Sequence, residues 1–456
     1  MNHASAAFYP AMSHPPAHPS VIAATALLGG IHLDSEKTWN ILEIGCASGH
    51  HILPIAEQYP QARITALDLD ARAIEEAQGL ARLANLRNIE FHCADLAAWE
   101  APSQHFDIII AHGVFSWVPD SVKAAMISLC AQALKTNGVA MISYNTQPGW
   151  ALRQPLREMT MALQQRSSHQ GSACSALEWI ERALDGRNDA YGHDLLETTR
   201  DSLAKGEAQL KFDDLYPIND AFYFSQFFHI CQQNGLTYVG EADSTLPRIS
   251  LLHSTAKAQL QSLADNPILM EQMTDFLTGR SFRCSVICRN DAERRAASPE
   301  ELAALSIERL MPIPATGHDR TDAFSQAILR AAPSSISMGD LLASLPDVPV
   351  QQAMKMTGTL LSLGMIRLRD RPVLLSDEMP SHPRLSVLNL DHLKRGKPIV
   401  DAFHRSCLVS PNDREWLLLC NGSVSFEQLM KSCRHEDQIS ALHEMLAHMN
   451  ERGLFV

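Results

Sequence analysis

The sequence predicts an α/β protein: a Rossmann-like sheet of seven strands with a helical insertion, then a mostly helical, winged-helix-like C-terminal region. Three observations predict it. Between residues 39 and 144, short apolar runs alternate with helical patterns, as expected of a parallel sheet covered on both faces. A tight turn of small residues, Gly45-Cys46-Ala47-Ser48-Gly49, joins the first run to its helix. The strand signal disappears across 151–210 and returns at Leu236 and Ser281.

The elements follow in order. Trp39–Ile44 is the first strand. Ser48–Gln58 is a helix, stopped by Tyr59-Pro60. Arg63–Leu67 is the second strand and runs into Asp68. Ala71–Ala84 is a helix. Ile89–Cys93 is the third strand, followed by Asp95. Phe106–Ala111 is the fourth, Ser121–Leu134 a helix, and Gly138–Tyr144 the fifth strand. After the insertion, Asp220–Gln233 is a helix closed by Asn234-Gly235. Leu236–Val239 is the sixth strand, Pro267–Leu277 a helix, and Ser281–Arg289 the seventh strand. Phe282, Cys284, Val286 and Cys288 alternate, as on one buried face of that strand. The expected domains are an N-terminal arm (1–37), a ligand-binding core (38–150), the insertion (151–215), a segment completing the sheet (216–290), and two winged-helix-like modules (300–378 and 385–456). The modules share an ending: helix, glycine stop, short strand.

Composition narrows the function. The 456 residues carry a formal net charge of −13, which argues against a general nucleic-acid binder, since such affinity rests on Lys and Arg neutralising phosphates. No Lys or Arg precedes Lys37, so the basic start of a secretory signal is missing. No run reaches the apolar length of about 18 residues that a membrane span needs. The expected location is the cytoplasm. Ten cysteines are scattered with no C-x-x-C pair, so reduced thiols are expected and no metal site. Residues 1–20 are expected to be irregular. The run His14-Pro15-Pro16-Ala17-His18 suits an arm over the active site or plain disorder better than a metal site.

The glycine turn carries the chemistry. Small residues let backbone approach a ligand, and a helix N-terminus offers free N–H groups. Asp68 ends the second strand, about 20 residues on, where a carboxylate accepts both ribose hydroxyls of an adenine nucleoside. Nicotinamide enzymes share this logic, but their G-x-G-x-x-G pattern is broken here by Ala47 and His50. Glu43 precedes the loop, and Asp95 is placed to meet an adenine amino group. Three acids at successive strand ends suit a cationic nucleoside, S-adenosylmethionine. The expected cofactor contacts are Glu43, Gly45, Cys46, Ala47, Gly49, Asp68, Leu69, Asp95, Leu96 and His112.

Two further loops leave the same sheet edge: Ala111–Pro119 and Ser143–Trp150. The candidate catalytic residues are Tyr144, Asn145, Trp117 and His112. Tyr144 and Asn145 would aim an acceptor. Trp117 and Trp150 either wall the pocket or pack loops. His112 either shapes the cofactor pocket or moves a proton.

The runs Leu42–Gly49 (LEIGCASG), Ile109–Pro119 (IIAHGVFSWVP) and Ser143–Trp150 (SYNTQPGW) resemble the bacterial class I methyltransferases that carry a methyltransferase regulatory domain. That group includes rickettsial outer-membrane-protein lysine methyltransferases. Pro217–Phe224 and Phe276–Arg283 resemble its regulatory domain, and residues near 320–456 more loosely its C-terminal domain. Gln147 stands where the family usually has an aromatic or large apolar residue. The resemblance implies the class I fold, S-adenosylmethionine as cofactor and a protein lysine as acceptor. A small-molecule acceptor and a non-catalytic cofactor-binding scaffold remain as alternatives. Asn145-Thr146-Gln147-Pro148 does not match the N/D-P-P-Y/F pattern of base-methylating enzymes.

Overall fold

The computed structural model describes residues 11–33, 38–166, 171–243, 252–313, 319–433 and 435–455. Its first helix, α1 (Pro19–Leu28), is almost wholly buried. Val21 and Ile22 join the core of the large sheet, while Ala24 joins the core of the first C-terminal module. A helix apolar all round is an interior strut, so the irregular stretch expected over residues 1–20 gives way to helix from Pro19; residues 1–10 lie outside the described residues. A short 3₁₀ turn at Pro15–Ala17 leads into it.

Among the described residues, eight strands build the main sheet: β1 (Asn40–Ile44), β2 (Arg63–Asp68), β3 (Ile89–Cys93), β4 (Phe106–Ala111), β5 (Leu134–Thr146), β6 (Ala221–Phe222), β7 (Leu236–Glu241) and β8 (Phe282–Arg289). The order is β3-β2-β1-β4-β5-β8-β7, with the two-residue β6 paired to the end of β5. Strands β1 to β5 are parallel, and β8 is antiparallel to both β5 and β7. Helices α2 (Ile52–Gln58), α3 (Ala71–Leu83) and α4 (Asp120–Ala133) follow β1, β2 and β4. Two apolar clusters, one on each face, contain the sheet. Cys284, Val286 and Cys288 share the cluster that also holds α1.

Three boundaries differ from expectation for identifiable reasons. Helix α2 starts at Ile52 because Gly49, at φ +79°, keeps the preceding residues in a turn. Strand β5 begins at Leu134, which pairs with Phe106 across an irregularity. Ala221-Phe222 leave the expected helix to pair with Asn145-Thr146, so α8 (Phe224–Gln233) starts late.

Between β5 and β6 lie α5 (Gln154–Gln164), α6 (Ala173–Leu184) and α7 (Ala190–Phe212), around a small core of their own. Helices α9 (Ser254–Gln261) and α10 (Pro267–Thr278) precede β8. The next unit comprises α11 (Pro299–Ala304), β9 (Ser306–Arg309), α12 (Asp319–Ala331), β10 (Ile336–Ser337), α13 (Met338–Ala343), α14 (Val350–Ser362) and β11 (Ile366–Arg369). Its strands form a small antiparallel sheet, β10-β9-β11. The last unit comprises α15 (Val387–Lys394), β12 (Ile399–Val400), β13 (Ser406–Cys407), α16 (Pro411–Leu419), α17 (Phe426–Lys431) and α18 (Glu436–Glu451). Both units close on a positive-φ glycine, Gly364 or Gly453. Among the described residues, the first continues into β11, whereas after Gly453 the second makes the bridge Leu385 to Phe455. Among the described residues no helix is long and apolar enough to cross a membrane.

A buried ion cluster locks the far edge of the sheet. Arg283 is fully buried. It donates to both carboxylate oxygens of Asp275 (2.8 and 2.9 Å), to Glu241 (2.7 Å) and to Glu271 (2.9 Å). Its guanidinium lies 4.1 Å from the centre of the Phe224 ring. One residue thus ties β7, β8, α8 and α10 together. Breaking a buried pair leaves uncompensated charge and costs about 3–5 kcal/mol. Arg283→Met is therefore expected to lower the unfolding free energy by about that amount, read as a fall in the urea midpoint at unchanged m-value.

Candidate active site

The turn after β1 is left-handed at three places: Gly45 (φ +76°), Ala47 (+45°) and Gly49 (+79°). A Cβ on Gly45 would sit 2.5 Å from Val114 Cγ2, so glycine lets the loop after β4 close over the turn. The N–H groups of Gly45 and Cys46 donate to the Leu67 carbonyl at 2.8 and 3.1 Å. Ala47 is unusual, because a left-handed L-residue costs about 1–2 kcal/mol. Its N–H donates to Asp68 Oδ2 at 2.8 Å, a charge-assisted bond that offsets this. Asp68 Oδ1 accepts from Asp70 N–H at 2.9 Å. Each oxygen keeps a lone pair for a ligand hydroxyl.

The neighbouring positions divide by burial. Leu69 is 72% exposed beside Asp68. Asp95 is exposed, with Oδ1 accepting from Ala97 N–H at 2.9 Å. Leu96 is buried and packs in the core with Ile44 and Leu67. Cys46 is also a core residue, its thiol pushed up by burial and then by Glu43 and Asp68; it offers a ligand only backbone.

Glu43 is 4% exposed, and its Oε2 is buried without a hydrogen-bond partner. Its Oε1 lies 3.9 Å from His51 Nε2. Burial, and then Asp68, push its carboxyl well above the usual range. A buried carboxyl with a vacant oxygen beside a second carboxylate is suited to a cation.

His112 sits on the loop after β4, with Nδ1 buried and unpartnered. Its ring stacks on His14 (centroids 3.8 Å apart). Burial and then the neighbouring His14 and His51 push it well below its usual range; burial pushes His14 down to about 4. An imidazole held so firmly neutral is a poor proton carrier at pH 7. Its buried position, stacked on His14, suits the other expectation for His112, shaping the cofactor pocket, better than proton transfer. The N-terminal arm brings His14 there: Ser13 is bonded to Ser406 Oγ through its N–H (2.8 Å) and its hydroxyl (2.9 Å), and His14 N–H donates to His51 Nδ1 at 3.2 Å.

The second and third loops are stitched to residues 213–220. Trp117 Nε1 donates to the Asp213 carbonyl at 3.0 Å, and Asn219 Nδ2 to the same oxygen at 2.8 Å. Asn145 Nδ2 donates to Asn219 Oδ1 at 2.9 Å, and Asn145 N–H to Ser116 Oγ at 2.8 Å. Gly113 N–H donates to Ser143 Oγ at 2.8 Å. Tyr144 departs from expectation. It has no accessible surface, stacks on Phe227 (4.2 Å between centroids), and shares its hydroxyl with Ser285 at 3.1 Å. Ser285 in turn donates to Glu241 at 2.5 Å. Strand alternation turns Tyr144 into the core while Asn145 points the other way. Trp150 is buried beneath Arg153, its ring centroid 5.5 Å from the guanidinium carbon. Gln147 is half-buried and bonds through its N–H to the Phe222 carbonyl.

Residues 41–138 match the family described as "Methyltransferase domain", and residues 207–289 match the "Predicted methyltransferase regulatory domain". The chain carries a methyltransferase domain and a methyltransferase regulatory domain. An uncharacterised protein of Rickettsia prowazekii is 34% identical over 280 residues, covering 60% of this chain and 50% of the relative. The chain thus spans about half the length of that relative. A malonyl-[acyl-carrier protein] O-methyltransferase of Acetivibrio thermocellus is 33% identical over 120 residues, 26% of this chain and 40% of the relative. Among solved structures, PKMT2 from Rickettsia typhi superimposes with a TM-score of 0.83, and its complex with AdoHcy with 0.81. Both are 21% identical and cover 98% of this chain and 100% of theirs, a likeness of fold.

S-adenosylmethionine is the cofactor of the methyltransferase domain, and the residues present fit it. Asp68 has lone pairs for a ribose, the turn offers backbone, and the vacant Glu43 oxygen awaits a cation.

Two outcomes follow for Glu43. The folded carboxyl holds its proton to higher pH than the unfolded one, so its ionisation at pH 8 works against folding. Glu43→Gln is expected to raise the melting temperature without ligand by a few degrees, and to weaken S-adenosylmethionine about tenfold, by calorimetry. In the native protein the affinity is expected to rise with pH as Glu43 ionises; the Gln variant lacks that slope.

Proposed function

We propose that the protein is an S-adenosylmethionine-dependent methyltransferase acting on lysine side chains of proteins. The observation that carries the cofactor half is the pairing of Asp68, already fixing the glycine turn, with the vacant buried carboxyl of Glu43. The resemblance to regulatory-domain methyltransferases supports the acceptor half.

Lys123 is bound by Asp120 and by Asp220. Lys205 lies 2.6 Å from Asp214, and Arg153 lies 3.8 Å from it. Three cations thus meet three aspartates, while Arg157 donates to the Tyr216 and Pro217 carbonyls, so this surface is polar with balanced charge.

The cofactor supplies a methyl group on a sulfonium. The chain's task is to hold the acceptor in line with it; good orientation alone recovers on the order of 7–11 kcal/mol. A lysine acceptor, with a reference pKa of about 10.4, must first lose a proton. A dry site near positive charge favours the neutral amine. The Asn145 amide N–H is committed to Asn219, which leaves its carbonyl oxygen to accept from the amine. Trp117, tethered to Asp213, fixes the loop that forms the wall. Tyr144 serves from below, keying β5 to Ser285.

Three experiments test this reading. Incubation with methyl-labelled S-adenosylmethionine and cell extract is expected to put acid-stable label into protein as methyl-lysine. Label confined to small molecules would overturn the acceptor assignment. Asp68→Ala removes a charged partner of both ribose and turn, and should weaken the cofactor by more than about 100-fold. Asn145→Ala should leave cofactor affinity unchanged and slow transfer by about 100-fold. Normal turnover by the Asp68 variant would remove the cofactor assignment.

A further inference from the structure

Residues 213–220 belong to the methyltransferase regulatory domain, yet they lie against both acceptor loops. They are tied there at three points. Trp117 Nε1 donates to the Asp213 carbonyl at 3.0 Å, Asp220 N–H donates to the Ser116 carbonyl at 2.8 Å, and Asn145 Nδ2 donates to Asn219 Oδ1 at 2.9 Å. Immediately afterwards β6 pairs with the end of β5, Ala221 opposite Asn145.

The partners of Asn219 decide which way two amides face, because an amide's orientation is read from its hydrogen bonds. One side of the Asn219 amide lies 2.8 Å from the Asp213 carbonyl oxygen and 3.5 Å from that of Asp214. Carbonyl oxygens only accept, so the Asn219 atom facing them is Nδ2. Its Oδ1 therefore faces Asn145. An oxygen there requires a donor, so Asn145 turns its Nδ2 toward Asn219 and its Oδ1 away. No second bond sets this orientation. The Asn145 backbone N–H goes to Ser116 Oγ at 2.8 Å, and among the described residues no hydrogen bond engages Asn145 Oδ1. Asn145 is buried, so bulk water does not choose its orientation either.

We propose that Asn219 is a positioning residue for the methyl acceptor: by accepting from Asn145 Nδ2 it keeps Asn145 Oδ1 turned to the acceptor, so a segment of the regulatory domain sets the geometry of transfer. The proposal rests on the reading of Asn145 as the residue that aims a lysine amine. An amine that donates one N–H to this oxygen keeps its lone pair free for the methyl group. With the amide reversed, an N–H would face the amine and take the lone pair that must attack. Asn219 acts through Asn145 and not on the acceptor itself.

The test is the initial rate of label transfer from methyl-labelled S-adenosylmethionine to the protein fraction of a cell extract, over a range of extract concentrations, for the full chain and its variants. Asn219→Ala is expected to lower the saturating rate about tenfold, with the half-saturating extract concentration within about threefold of wild type. Cofactor affinity by calorimetry is expected to stay unchanged. Because the effect passes through Asn145, the double variant Asn145→Ala/Asn219→Ala is expected to be no slower than Asn145→Ala alone. Losses that multiply in the double variant, a wild-type rate in either single variant, or a cofactor affinity that falls in Asn219→Ala overturn the proposal. If the variants fail to fold, a neutron structure of the wild type decides: deuterium on the Asn145 nitrogen between the two amides is expected, and deuterium on an Asn219 nitrogen there refutes it. A wild type that labels no protein brings down the acceptor reading, and this proposal with it. A wild type that labels protein, beside an unaffected Asn219 variant, brings down only the role of Asn219.

Discussion

The two backbone N–H groups that Asp68 accepts, from Ala47 and Asp70, tie the loop after β1 to the end of β2. The loop needs that tie because Ala47 sits in left-handed backbone without being glycine. The same carboxylate raises the cost of ionising Glu43 nearby. Loop shape therefore traces to this side chain, which also adds to the burial that resists ionisation of Glu43. Electrostatic preorganisation of this kind does most when the groups are fixed before the ligand arrives.

Around that crevice the chain closes from both ends. The arm ahead of α1 carries His14 onto His112, and α1 itself is shared between the sheet core and the core of the first C-terminal unit. Ser20 hydroxyl donates to Asp370 at 2.5 Å, and Arg369 donates to the Phe403 carbonyl at 2.7 Å. These contacts weld arm, catalytic sheet and C-terminal units through buried polar groups. Such networks are demanding, because each member must be satisfied. Several histidines lie in this interior, and burial is what pushes His14, His18, His51, His112 and His404 below the usual imidazole range.

Much of this was readable in the sequence. The apolar runs that became β1 to β4 alternate with helical patterns because parallel strands are buried on both faces. The glycine turn and Asp68 announced themselves by type and spacing. Tyr144 did not: motif position pointed to the acceptor, but the alternation of side chains along β5 turns it into the core, a one-residue matter that spacing cannot resolve. Asn219 was missed for another reason. It reaches Asn145 only because β6 pairs with the end of β5. Contacts of such range leave no local period. The His-Pro run at residues 14–18 left an arm and plain disorder open; the structure stacks His14 on His112.

The central claim is that this crevice grips an adenosyl sulfonium by its ribose and its positive charge. The most direct measurement is a crystal structure of the full chain grown with S-adenosylmethionine. Both ribose hydroxyls are expected on Asp68, with a cationic centre of the ligand in reach of Glu43 and the turn unmoved. A ligand seated elsewhere, or a turn that must unfold to admit it, would contradict the account.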